Sequence, residues 1–108
     1  MSDVQTFIRE TVTNNPVVLF MKGTAQGPQC GFSARAIQIL KSCGVTKLVT
    51  VNVLEDEDVR NGIKTYSQWP TIPQLYVGGE FIGGSDIMTE MDQSGELKQA
   101  LIAAGATE

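Results

Sequence analysis

Lys22-Gly23-Thr24-Ala25-Gln26-Gly27-Pro28-Gln29-Cys30-Gly31-Phe32-Ser33 is the stretch on which the reading of the chain turns. Before it stands Val17-Val18-Leu19-Phe20-Met21, an apolar run rich in β-branched and aromatic residues. It follows Asn14-Asn15-Pro16, and that bounding predicts a buried strand rather than a helix segment. After the stretch, Ala36, Ile37 and Leu40 recur at helical spacing up to Cys43, with Gly44 where a helix would close. Cys30 therefore falls just before, or on, the first turn of that helix. A thiolate there faces unpaired backbone N–H groups and the positive end of the helix dipole, and both lower its pKa. Lys22, at the strand end, adds a cation. The competing reading is a buried, inert Cys30 beside a solvated Lys22; Gly27-Pro28 and Gly31 argue against it, because they leave the sulfur exposed. Where a redox pair would read Cys-x-x-Cys, the fourth position is Ser33, and a serine oxygen cannot resolve a mixed disulfide. Its hydroxyl either donates to the thiolate or belongs to an ordinary first-turn residue.

At 108 residues the chain is expected to form one domain, residues 1–108, around one core. Apolar residues make up 42%, and mean hydropathy is near zero. No apolar stretch approaches the ~20 residues of a membrane span, and the N-terminus lacks the pattern of a signal peptide. The expected location is cytoplasmic, with an organellar form that has lost a transit peptide left open. A net charge of −4 and no basic patch argue against nucleic acid as a partner. The chain has no histidine, which removes Ser-His-Asp and Cys-His catalysis and histidine-bound zinc. Cys30 and Cys43 would stand roughly 20 Å apart on a helix over 31–42 at 1.5 Å per residue. A disulfide needs Cα atoms within about 7 Å. They are not partners, and Cys43 reads as a structural residue.

Along the rest of the chain, Val4, Phe7, Ile8 and Val12 share one helical face between Asp3 and Thr13, with Ser2 or Asp3 as cap. Lys47 to Val53 is rich in β-branched residues and predicts a strand. The acidic run Glu55-Asp56-Glu57-Asp58 suits a helix first turn; Val59, Ile63 and Tyr66 continue that helix, which Gly62 weakens. Gln74–Val77, Gly78-Gly79 and Glu80–Ile82 carry the signature of a hairpin with a two-residue turn. Gly83-Gly84-Ser85-Asp86 opens a helix with Ser85 as candidate cap and Ile87, Met88 and Met91 inward. Gly95 interrupts it, and Leu97, Ala100 and Leu101 continue into a last one. The order α-β-α-β-α-β-β-α-α suits an α/β fold: a mixed sheet of two parallel strands plus a hairpin, flanked by helices.

Lys22, the loop and Cys30-Gly31-Phe32-Ser33, then Trp69-Pro70-Thr71-Ile72-Pro73, then Gly83-Gly84-Ser85-Asp86 resemble, in order and spacing, the monothiol glutaredoxins of the Cys-Gly-Phe-Ser type. The resemblance covers essentially the whole chain. It implies a thioredoxin-like fold with a four-stranded mixed sheet, a cis peptide at Ile72-Pro73, and glutathione contacts at Lys22, Arg60, Ile72, Ser85 and Asp86. The residue types suit such a ligand. A helix start at Gly84-Ser85-Asp86 offers N–H groups to a carboxylate and Asp86 a partner for the neighbouring ammonium, while Lys22 and Arg60 suit the opposite carboxylate. Phe32 and Trp69 flank this region, Trp69 more as packing than as ligand.

Two functions then share one site. In the first, Cys30 is a metal ligand. A [2Fe–2S] cluster needs four ligands, usually thiolates; each chain supplies one, so two chains and two glutathiones would complete the set. The implied form is a glutathione-dependent, cluster-bridged homodimer that delivers its cluster to apo iron–sulfur proteins, with BolA-type proteins as a further partner by resemblance. In the second, Cys30 is catalytic and reduces protein–glutathione mixed disulfides with glutathione. Seven residues separate Lys22 from Cys30, a longer loop than in dithiol glutaredoxins, and Gly31 replaces their proline. Both departures favour the carrier.

Overall fold

The computed structural model describes residues 3–107. Val17–Met21 forms β1, buried along its whole length. Such a strand must be covered on both faces, which is why its sequence is apolar without alternation. Val17, Leu19 and Met21 face one cluster, with Ile37 and Leu40 of α2 (Gly31–Ser42), Met88 of α4 (Ser85–Ser94) and Leu97 and Leu101 of α5 (Glu96–Ala103). Val18 and Phe20 face the other, with Ile8 and Val12 of α1 (Asp3–Asn14) and Val59 and Ile63 of α3 (Glu57–Ser67). Burying each such side chain contributes roughly 1.5–3 kcal/mol. β1 pairs in parallel with β2 (Leu48–Asn52) and antiparallel with β3 (Gln74–Val77), which pairs with β4 (Glu80–Gly83). The strand order is β2-β1-β3-β4. This is the expected mixed sheet, with the helices on both faces and the elements in the expected order. Gly78 and Gly79 take φ of 60° and 82°, the left-handed pair that a two-residue hairpin turn requires.

Several expectations shift. Phe7 is 47% exposed and does not join the inward face of α1, whose buried residues are Ile8 and Val12. Asp3 is the first residue of α1 rather than its cap, and Ser2 lies outside the described residues. Gly84, not Ser85, caps α4, and Ser85 is the first helical residue. Ile87 and Met91 are half-buried, whereas Met88 is fully buried. β2 is an edge strand and half-buried throughout.

Gly62 is a weak helix former for a packing reason. A Cβ there would lie 2.6 Å from Val4 Cγ1 and 3.3 Å from Ile8 Cδ1, so α1 and α3 touch at this point. Gln5 Nε2 donates to Gly62 O across the same contact at 2.9 Å. Gly62→Ala sets a helix-propensity gain of about 1 kcal/mol against an overpacking cost of roughly 1–3 kcal/mol. The Val4 branch is stiff, so the cost wins. We expect the thermal midpoint to fall by several degrees, and combining Gly62→Ala with Val4→Ala to recover much of the loss, read by calorimetry as a double-mutant cycle. A purely additive cycle would refute the contact.

Candidate functional site

The chain leaves β1 through a loop held at both ends. Gly23 N–H donates to Asn52 Oδ1 at 3.0 Å, and Gln29 N–H donates to Lys22 O at 2.8 Å. Thr24 and Gly27 close the tip by exchanging backbone hydrogen bonds. Gly23 has φ of 94°, and a Cβ there would lie 2.5 Å from Gly27 O, so only glycine fits the fold-back. The result returns the chain to the end of β1 and sets Lys22 beside Cys30.

Cys30 is the N-cap residue of α2, with extended backbone at φ −151° and ψ 136°. As a thiol it closes no cap hydrogen bond. As a thiolate it is favoured first by the Ser33 N–H, then by the Phe32 N–H, the Lys22 charge and the Ser33 hydroxyl. Together these outweigh partial burial and hold its pKa below the ordinary thiol value. Ser33 is fully buried, and its Oγ accepts from Lys22 N–H at 3.1 Å. The hydroxyl oxygen thus fastens the helix start to the end of β1, and the hydroxyl is the smallest of the groups that favour the thiolate.

Cys43 sits at the C-cap of the same helix, buried, with Sγ donating to Asp92 Oδ1 at 3.5 Å. Burial and the neighbouring Asp92 push its pKa up. Both cysteines are free.

Beside Cys30 opens a cavity of about 400 Å³. Lys22 and Cys30 form one side. Opposite, Ile72 precedes a cis peptide to Pro73, and Gly84, Ser85 and Asp86 form the start of α4. A Cβ at Gly84 would lie 3.3 Å from Pro73 O, so the glycine lets the helix start pack against the proline segment. The α4 N-terminus has no side-chain cap, in contrast to α3, where Asp56 accepts from the Asp58 and Val59 amides. Its first N–H groups therefore stay available to an anion. Among the described residues, neither N–H nor C=O of Ile72 has a hydrogen-bond partner. Trp69 and Phe32, 37% and 61% exposed, border the cavity.

The structure thus brings five of the six expected site residues to one cavity: Cys30, Lys22, Ile72, Ser85 and Asp86. Arg60 does not line it. Lys64, one helical turn further along α3, does, and the two positions share a face at i, i+4 spacing. Sequence reading passed over Lys64, whose one available signal was that spacing. It also passed over Asn52, whose side chain accepts from both Gly23 and Leu54 N–H.

The glutaredoxin family model matches residues 17–82, from the start of β1 into β4. A monothiol glutaredoxin-5 of mitochondria from Schizosaccharomyces pombe is 56% identical over 96 residues, 87% of this chain and 66% of that protein. An uncharacterized monothiol glutaredoxin, ycf64-like, of Synechocystis is 55% identical over 93% of this chain and 92% of its own length. The chain is a member of the glutaredoxin family. Its relatives place it in the monothiol branch. The solution structure of reduced poplar apo GrxS14 superposes with a TM-score of 0.82 at 50% identity, covering 96% of this chain and 94% of that one. The expected thioredoxin-like fold is therefore the observed one. For this glutaredoxin the chain spans just under two thirds of the length of the fission yeast relative.

The two thiols of this glutaredoxin should separate by chemistry. Iodoacetamide should modify Cys30 at neutral pH and leave Cys43 intact in the folded protein. The Cys30 rate profile should stay high below the ordinary thiol range, since its depressed pKa keeps the thiolate populated there. Lys22→Ala and Ser33→Ala each remove a group that favours the anion, so each should move the profile to higher pH, measured by mass spectrometry across a pH series. A profile unmoved by both would refute this account of the thiolate.

Proposed function

We propose that this glutaredoxin carries a [2Fe–2S] cluster between two copies of itself, with glutathione as co-ligand, and delivers it to apo iron–sulfur proteins. The observation that supports the reading is Cys30, its pKa lowered, at the mouth of a cavity lined by Lys22, Lys64, Asp86 and the start of α4. Among the described residues no group of three or more Cys, Asp or Glu side chains converges, and Cys43 lies at the far end of α2. One chain therefore offers one soft ligand, which fits a cluster only when a second chain and two glutathione thiols complete the set. Ser33 fits the same role, because it keeps the thiolate in place without being able to close a disulfide.

In this reading glutathione lies along the cavity. The α4 amides at Ser85 and Asp86 receive the carboxylate of its γ-glutamyl end, and the Asp86 side chain receives the ammonium. The Ile72 backbone pairs with the peptide. Lys22 and Lys64, which line the cavity, attract the glycyl carboxylate, and Arg60, outside the lining, adds only its charge from the same face of α3. The chain's own residues do three things: hold the tripeptide, present Cys30 ionised beside its thiol, and leave that thiol facing outward to a partner chain. BolA-type proteins belong to the same proposal as heterodimer partners. The compartment we propose is the cytoplasm, in keeping with two free cysteines.

A second reading is favoured by the lowered pKa of Cys30. Its thiolate attacks the glutathionyl sulfur of a protein mixed disulfide, forming a Cys30–glutathione disulfide while the protein sulfur leaves as thiolate. A second glutathione thiolate then attacks the bound glutathionyl sulfur, which yields oxidised glutathione and restores the Cys30 thiolate.

Anaerobic reconstitution with iron, sulfide and glutathione separates the two. The carrier predicts a coloured dimer by visible absorption and size-exclusion mass, lost on omitting glutathione or in Cys30→Ser. A colourless monomer that turns over glutathione mixed disulfides would sink the carrier and promote the enzyme. Asp86→Asn, which removes a charged partner of the ammonium, should weaken glutathione binding by roughly tenfold or more, read by titration calorimetry.

A further inference from the structure

Gln74, the first residue of β3, is fully buried. Its Nε2 donates to Trp69 O at 3.0 Å and to Thr71 O at 3.1 Å, the two carbonyls that flank Pro70. Its own Oε1 has no partner among the described residues. A buried amide with an orphaned acceptor carries a desolvation cost, and the two carbonyls it serves belong to exposed residues that water could satisfy in its place. The side chain is therefore poorly explained as a stabiliser of the core. What it does hold is the wall of the cavity. Pro70 and Pro73 supply no N–H, and the Ile72 backbone is unpaired, so the segment has little of its own to bind it. It is anchored at its start, where Trp69 N–H meets Lys64 O and Ser67 Oγ at 3.2 and 3.1 Å. From Trp69 O onward to β3, the hydrogen bonds that reach it among the described residues are the two from Gln74.

We infer that Gln74 is a positioning residue for glutathione: its amide fixes the Trp69-to-Ile72 wall and so presets the unpaired Ile72 backbone for the ligand. The inference rests on the reading of the cavity as a glutathione site. A preset wall lets the ligand bind without the cost of ordering that loop.

Gln74→Met keeps the length and shape and removes both donors. In a Cys30→Ser background, calorimetry with reduced glutathione should show affinity lower by about tenfold, with the thermal midpoint unchanged or raised. Backbone NMR order parameters at Thr71 and Ile72, whose N–H groups have no partner among the described residues, should fall. In the Cys30 protein, the alkylation profile should be unmoved. Affinity within about twofold of the parent, or an affinity loss matched by a lower midpoint and a moved Cys30 profile, would overturn the inference. Gln74→Asn keeps a polar group in the strand but is one methylene too short for either carbonyl. It should lose affinity similarly, and parent-like binding by it would also count against the clamp. If the parent protein itself fails to bind glutathione, the cavity reading falls, and the order parameters at Thr71 and Ile72 alone then decide the clamp: unchanged values in Gln74→Met overturn it.

Discussion

A buried hydroxyl does the joining on which the site depends. Ser33 Oγ accepts the Lys22 N–H just past the end of β1, from within the first turn of α2. A buried backbone donor without a partner costs roughly 1–3 kcal/mol, so this bond fixes where the helix begins relative to the strand. Strand end, cation and helix start then move as one body. Cys30, three residues before Ser33, is carried along with them, and the amides that favour its thiolate are those of the same turn. Replacing a second cysteine by serine at this position thus removes a resolving thiol and supplies a brace in the same step.

The sheet places the rest of the cavity around that brace. β1 and β3 run antiparallel, with Phe20 opposite Gln74, so the end of β1 that delivers Lys22 meets the start of β3, where the Trp69-to-Pro73 segment arrives. β4 follows β3 by a tight turn and returns to the same side, handing the chain to α4 at Gly84. Three chain segments therefore converge at one end of the sheet. Each brings backbone groups that the fold itself leaves free: amides at the start of α2, the Ile72 peptide, and amides at the start of α4. A site made of free backbone suits a peptide ligand, and the side chains at its edges, Lys22, Lys64 and Asp86, bring charges of both signs to it.

Much of this was legible in the sequence because the signals are local. The unbroken apolar run of β1, the paired glycines of the hairpin and the glycines after α2 and α4 act over a few residues, and each fell where expected. Cys30 was placed by the same means. What was not legible depends on contacts distant in sequence. Phe7 matches the apolar face of α1 by spacing, yet the helix turns so that Ile8 and Val12 meet the sheet and Phe7 remains 47% exposed. Ser85 is a favoured cap residue by type, but Gly84 takes that position, packed 3.3 Å from Pro73 O at the Cβ site. Lys64 rather than Arg60 lines the cavity, one turn further along α3. Gln74 looked like one more strand residue, since a side-chain amide bonding back over three to five residues leaves no pattern in composition or period.

α2 offers an internal control for the chemistry, because it carries a cysteine at each cap. The residue type is the same and the shifts are opposite. At the N-cap, unpaired amides and Lys22 stabilise negative charge, and the Cys30 pKa falls. At the C-cap, burial first and then Asp92 disfavour it, and the Cys43 pKa rises. One helix thus sorts its two thiols into a half-buried one of lowered pKa and a buried one of raised pKa. The sorting follows from free amides at the helix start, burial at its end and two neighbouring charges, in a chain without histidine. Ionisation of Cys30 is accordingly a property of where the helix starts, and anything that loosens that start, from Gly23 in the loop to Ser33 in the first turn, acts on the sulfur through position before it acts through charge.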